Sequence, residues 1–136
     1  MGEEETKKRI QMKINELTHE IIGAAIEVHK TLGPGLLEDV YRDALMHELS
    51  LRGIKAEAEV PVPVLYKGVV LANDKRVDIL VEDEVVIELK SVSEMKEIFQ
   101  LQILTYMRLM NKRYGLLMNF NVPKLSDAIW RKVNGY

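Results

Sequence analysis

RVDILVEDEVVIELKS, residues 76–91, is rich in strand formers, yet it sets Asp78, Glu88 and Lys90 where valine or isoleucine would make a better sheet. Its two halves, RVDILVE and VVIELKS, flank a short DE or EDE connection, which predicts a β-hairpin. A turn about Asp83 places Leu80 opposite Val86 and Asp78 opposite Glu88. Directly opposed Cβ atoms lie roughly 4.5–5.5 Å apart, and two like charges there oppose folding. Lys90 shares that face, while Val77, Ile79, Val81, Val85, Ile87 and Leu89 make the other face hydrocarbon. Leu80 and Val86, near the turn, are expected to meet a helix, so the charges gather at the far end of a half-covered face. A register slip of one residue would separate the two carboxylates onto opposite faces. Two readings compete. One is a solvated strand face with a cross-strand ion network. The other is a pair of carboxylates that holds a hard divalent cation through oxygen, with a lysine to stabilise negative charge, as metal-assisted attack on phosphorus requires.

Working outward, Ile10, Ile14, Leu17, Ile21, Ala24, Ala25 and Val28 recur at steps of three and four, predicting an amphipathic helix over about 6–32. GPG at 33–35 ends it, because Pro34 between glycines breaks the backbone ladder. A second helix follows in LLEDVYRDALMHELSLRG, with Leu37, Tyr41, Ala44, Leu45 and Leu49 on neighbouring turns and Gly53 as its stop. EVPVPVLYKG reads as an edge strand, since Pro61 and Pro63 lack N–H groups on the same side. A third helix over about 93–111, with Met95, Ile98, Phe99, Leu109 and Met110 on its apolar side, leads into the apolar strand YGLLMNFN. That strand should lie parallel to VVIELKS through a right-handed crossover. The tail LSDAIWRKV suits a helical turn or a short strand.

Polar residues on the helices add to the hairpin charges. Glu38 and Tyr41 are three apart and share a face that includes Leu45 and Leu49, so the carboxylate wants a partner. Gln102 and Tyr106 are four apart on the apolar side of the third helix, where an unsatisfied amide is costly. Either pair could be an ordinary buried hydrogen-bonding group.

The set Glu38, Asp78, Glu88-x-Lys90 and Gln102 with Tyr106, in that chain order, resembles the PD-(D/E)XK nuclease superfamily. More narrowly, GLLEDVY, with Gly35, Glu38 and Tyr41, is similar to the signature of the GxxExxY protein family, and the similarity spans about residues 17–127. The resemblance implies an α/β fold with an αβββαβ core: a three-stranded antiparallel meander plus a parallel strand reached through a crossover helix. The first helix is then an N-terminal addition to a single nuclease-like domain, residues 1–136, with its core at about 36–121. It also implies magnesium, or manganese, on Asp78, Glu88 and Glu38, and phosphodiester hydrolysis in which Lys90 steadies the reacting phosphate. Gln102 would face the site, supported by Tyr106, with Tyr41 supporting Glu38. Where members of that family often carry histidine three residues before the glutamine, this chain has Phe99. His29 also matches, as a site residue or as a helix-end histidine favoured by the dipole.

Composition bounds the function. The chain has 136 residues, 47% hydrophobic, and fits one compact domain. Its 19 basic and 21 acidic residues give a net charge of -2, so nucleic-acid binding has to come from a local patch. Lys67, Lys75, Arg76, Lys96, Arg108, Lys112, Arg113, Lys124, Arg131 and Lys132 could form one groove. Without cysteine there are no disulfides or thiolate metal sites. No apolar run reaches the ~18 residues of a membrane span and no signal-peptide layout is present, so a cytoplasmic location is expected. A magnesium-dependent nuclease acting on nucleic acid, DNA first, leads. The alternative is a non-catalytic binding module on the same fold. In either case the first helix could serve a partner or a homodimer, with Met12, Ile14 and Ile21 as the seam. A small-phosphate hydrolase is disfavoured because GPG is not a phosphate-cradling loop.

Overall fold

The hydrophobic periodicity of the N-terminal segment folds as expected in a computed structural model, which describes residues 2–135 apart from the side chains of residues 11 and 12. Helix α1 runs Glu3–Leu32, with acidic Glu3, Glu4 and Glu5 in its first turn and His29 and Lys30 in its last, complementing the helix dipole. Ile21, Ala24 and Ala25 are fully buried, whereas Ile10 is 51% exposed, because the first turns stand clear of the core. Ile14 and Ile21 belong to the chain's own core, so they cannot form the dimer seam expected of them; the Met12 side chain lies outside the described residues. Helix α2, Glu38–Leu51, buries Tyr41, Leu45 and Leu49 against the same core.

Five strands form the main sheet: β1 (Ala56–Pro61), β4 (Arg76–Val81), β5 (Val85–Lys90), β6 (Tyr114–Asn119) and β7 (Ile129–Val133). They lie side by side in the order β1-β4-β5-β6-β7. β4 and β5 form the expected hairpin, pairing Ile79 with Ile87, Leu80 with Val86 and Val81 with Val85. Glu82 and Asp83 make the turn with positive φ, 51° and 58°. β5 and β6 are parallel, joined by α3 (Glu97–Leu109), as the crossover reading requires. The mixed α/β fold thus contains the αβββαβ core, preceded by α1. One face of the sheet packs Ile79, Val81, Val85, Ile87 and Leu89 under α1 and α2. On the other face Leu80 and Val86 meet Ile103 and Met107 of α3. A Cβ on Gly115 would come within 2.5 Å of Met107 Sδ, so the close seat of α3 over β6 depends on that glycine.

Four local expectations need correction. The run EVPVPVLYKG is not one strand. β1 ends at Pro61, Val62 N–H donates to Lys75 O, and the chain then forms a separate hairpin of β2 (Val64–Tyr66) and β3 (Val69–Leu71). Lys67 and Gly68, both at positive φ, supply its two-residue turn. Helix α3 begins at Glu97 rather than near 93, because Lys96 is still extended as the chain leaves the sheet. Ile98 is 61% exposed, and the helix buries Ile103 and Met107 instead. Val77 packs with Val62 in the α3-side cluster rather than with its strand neighbours. The ambiguous tail is both things in turn, a 3-10 turn at Leu125–Asp127 and then β7, antiparallel to β6.

Candidate active site

At Asp78 the sheet is interrupted on both sides. Toward β1 the pairing runs Ala56–Val81, Glu57–Leu80 and Ala58–Ile79, skips Glu59 and Asp78, and resumes at Val60–Val77. Glu59 has φ of 52°, and its carbonyl accepts instead from Arg76 Nη1 at 3.2 Å. Toward β5 the backbone pairing stops at Ile79–Ile87. Side chains take over from there. Asp78 N–H donates to Glu88 Oε1 at 3.0 Å, and Leu89 N–H donates to Asp78 Oδ2 at 2.7 Å. The opposition of Asp78 and Glu88 is therefore real, and each carboxylate has one oxygen held by a backbone amide. Among the described residues, no fully buried side-chain oxygen or nitrogen lacks a partner.

The electrostatics follow from this placement. Burial, reinforced by the charge of Asp78, pushes the Glu88 carboxyl up to about 8. Burial also raises Asp78, opposed by the Leu89 amide and then by the charges of Lys90 and Arg42. The Glu38 charge raises both, which places this first residue of α2 beside the pair. The proton is best assigned to the pair rather than to either residue. Lys90 counters both carboxylates, and its Nζ lies 4.5 Å from the centre of the Phe99 ring, a cation–π contact that holds the ammonium from the α3 side. Gln102, one turn before Tyr106 on α3, lies close enough to lower its hydroxyl. Burial first, and then the charges of Glu88, Asp74 and Asp78, raise the Tyr106 hydroxyl, so it too faces the cluster. Asp78 and Glu88 are thus in direct contact, with Lys90 and Glu38 within electrostatic reach of both and Tyr106 within reach of them from α3.

Tyr41 and His29 stand apart from the charges. Tyr41 is fully buried and stacks on Phe120 with ring centres 4.5 Å apart. Its hydroxyl donates to Gly33 O at 2.6 Å and accepts from Leu36 N–H at 3.1 Å, fixing the loop that delivers Glu38. His29 Nε2–H is shared between the carbonyls of Phe120 and Val122, at 3.1 and 2.9 Å, so it clasps the end of β6 rather than joining the cluster. Three further residues that sequence reasoning missed secure the same end. Buried Asn119 accepts from Val92 and Asn121 N–H and donates to Val92 O, holding the chain just beyond Lys90. An asparagine inside the apolar run YGLLMNFN was the signal for it. Ser91 Oγ donates to Leu36 O at 2.5 Å. Arg42 bonds Glu59 Oε1 at 2.9 Å while its charge reaches Asp78.

The donor set suits a hard divalent cation: carboxylate oxygens, anionic at the cost of mutual repulsion, each carboxylate with one oxygen that its amide bond does not use. Among the described residues no three acidic or histidine groups close into a metal cage. The ten basic residues do not form one groove. Strand register puts Lys112, Arg113 and Lys132 at the hairpin-turn end of the sheet, where Lys112 pairs with Asp83, and Arg76 at the carboxylate end. A cleft of about 780 Å³ that includes Gly53, Ile54, Glu57 and Asp83 also lies at the turn end and contains none of Glu38, Asp78, Glu88 and Lys90. No helix among the described residues is long and apolar enough to cross a membrane. The family model of the PD-(D/E)XK nuclease superfamily matches residues 15–133. No curated protein and no solved structure matches significantly.

Proposed function

The chain belongs to the PD-(D/E)XK nuclease superfamily, and from that premise we propose that it is a nuclease whose active site is Asp78, Glu88, Glu38 and Lys90. The observation that supports this most is the Glu88 carboxyl, buried in the sheet beside Asp78 and pushed up to about 8, where an apolar pair would be more stable. A magnesium or manganese ion, when bound, would neutralise phosphate charge and acidify a water. Asp78 and Glu88 would offer it the oxygens their amide bonds do not use, and Glu38 a third donor from α2. Lys90, steadied by the Phe99 ring, meets the negative charge that develops on the phosphate oxygens. Tyr106 stays protonated at neutral pH and, with Gln102, donates hydrogen bonds toward the same phosphate. Gly35, Glu38 and Tyr41 support a place among the GxxExxY proteins within the superfamily, with residues 1–136 read as one domain and DNA as the first substrate to try.

The test is a thermal melt in EDTA, Mg²⁺ and Mn²⁺, followed by a cleavage assay on DNA in whichever ion raises the midpoint. At a hundred times its dissociation constant an ion should stabilise the protein by about 2.7 kcal/mol. No shift in either ion, together with no cleavage, would leave the non-catalytic binding module as the better reading.

A further inference from the structure

Between β1 and β4 the chain leaves the main sheet and folds back on itself. β2 and β3 pair only with each other, and Leu65, Tyr66, Val69, Val70 and Leu71 are 63%, 49%, 58%, 75% and 43% exposed. Contiguous exposed apolar side chains of this kind mark a binding surface. The hairpin is braced at its base. Asn73 Nδ2 donates to the carbonyls of Val62 and Leu71, both at 3.3 Å, and Asn73 Oδ1 accepts from Lys75 N–H at 2.9 Å. Pairing of Pro61 with Arg76 puts its root at the carboxylate end of the sheet, two residues from Asp78.

Charge says what kind of ligand fits. Residues 62–76 contain Lys67, Lys75 and Arg76 against Asp74, a net of +2, so the rest of a chain of net -2 carries -4. Lys67 Nζ lies 5.4 Å from the centre of the Tyr66 ring, so a cation and an aromatic face are presented together. We infer that this hairpin is a substrate arm for single-stranded nucleic acid, with Tyr66 and its aliphatic neighbours taking unstacked bases while Lys67, Lys75 and Arg76 meet the phosphates. The inference rests on the nuclease reading and deepens it by naming the substrate class. A closed duplex presents phosphates outward and gives the apolar side chains nothing to bury. Unstacked bases offer a face to each of them, whatever the sequence. Lys75 has Asp74 beside it at 3.7 Å, whereas Lys67 and Arg76 form no ion pair among the described residues, and a phosphate backbone would meet them while its bases cover the hydrocarbon.

The experiment measures fluorescence anisotropy of a labelled single-stranded oligonucleotide and of its blunt duplex with the full chain in EDTA, where cleavage cannot interfere. The single strand should bind at least about tenfold tighter than the duplex. Tyr66→Ser should weaken single-strand binding at least about fivefold, the lower end of what one base–aromatic stack contributes. Lys67→Gln should lower the slope of log affinity against log salt by about 0.7, one phosphate contact on a single strand. Equal affinity for the two oligonucleotides, or wild-type affinity in Tyr66→Ser, overturns the arm. A dimer in light scattering that Tyr66→Ser converts to monomer, with oligonucleotide binding unchanged, overturns it in favour of an interface between copies. Hydrolysis of bis(p-nitrophenyl) phosphate by the wild-type chain in Mg²⁺, a substrate too small to span from site to hairpin, judges the catalytic site separately.

Discussion

Glu88→Gln separates a metal site from an ion network more sharply than any other substitution. The carboxamide it introduces can still accept from Asp78 N–H through its carbonyl oxygen, so the hydrogen bond of 3.0 Å is retained while the charge is removed. The carboxyl it replaces is pushed from 4.5 to about 8, chiefly by burial. At ~1.4 kcal/mol per pH unit, ionising it in the folded state costs at most about 5 kcal/mol, and relaxation around the pair reduces that to a few. A carboxyl whose folded value lies above its unfolded one contributes stability that is fully present below about 4.5 and is lost as pH rises through about 8. In EDTA, wild type should therefore lose stability between about pH 5 and pH 8, and Glu88→Gln should lose less, since only the buried Asp78 carboxyl remains raised. The variant should match wild type near pH 5 and exceed it at pH 8. Magnesium should restore the wild type increasingly toward pH 8 and leave the variant unmoved, since a hard ion has lost an anionic donor. Urea midpoints at the two pH values, with EDTA and with Mg²⁺, read all of this. A difference between the proteins that does not change with pH, or an equal response to the ion, would refute the reasoning.

Lys90→Ala should lower cleavage at least about a hundredfold while the ion-dependent rise in melting temperature persists, and a near wild-type rate would remove the lysine from the chemistry. Gln102→Leu should fold and melt close to wild type but cleave more slowly; loss of folding without a separate catalytic effect would make the amide a core residue only. Tyr41→Phe loses the bond donated to Gly33 O and leaves Leu36 N–H unpaired, so it should destabilise by about 1–3 kcal/mol in urea, and an unchanged midpoint would mean the loop is held by other contacts.

The sheet was legible where turn and pattern were local. The turn about Asp83 sets the β4–β5 register, and the alternation of Val85, Ile87 and Leu89 leaves one face for the core. The parallel β6 followed from the helix between two apolar runs. What misled was the pair of prolines near 61–63, which suggested one continuous edge strand and drew attention away from Lys67–Gly68, a two-residue turn with its own flanking strands. Those strands lack an apolar alternation that points to a core, because they have none to face.

At the candidate site, the opposition of Asp78 and Glu88 was readable and its accommodation was not. Opposed Asp78 and Glu88 looked like a bare repulsion across two paired strands. In the fold, the backbone pairing is absent at that point on both edges of β4, through the left-handed Glu59 on one side and the end of the β5 ladder on the other. The amides of Asp78 and Leu89 then bond the carboxylates themselves. No sequence pattern announces this, since a positive φ at glutamate and a carbonyl turned to Arg76 depend on tertiary contacts. Two amide hydrogen bonds offset part of the desolvation yet leave Glu88 pushed up to about 8, so the arrangement lowers the strain without removing it. On the nuclease reading proposed above, a cation would take the place of the proton that this pair holds.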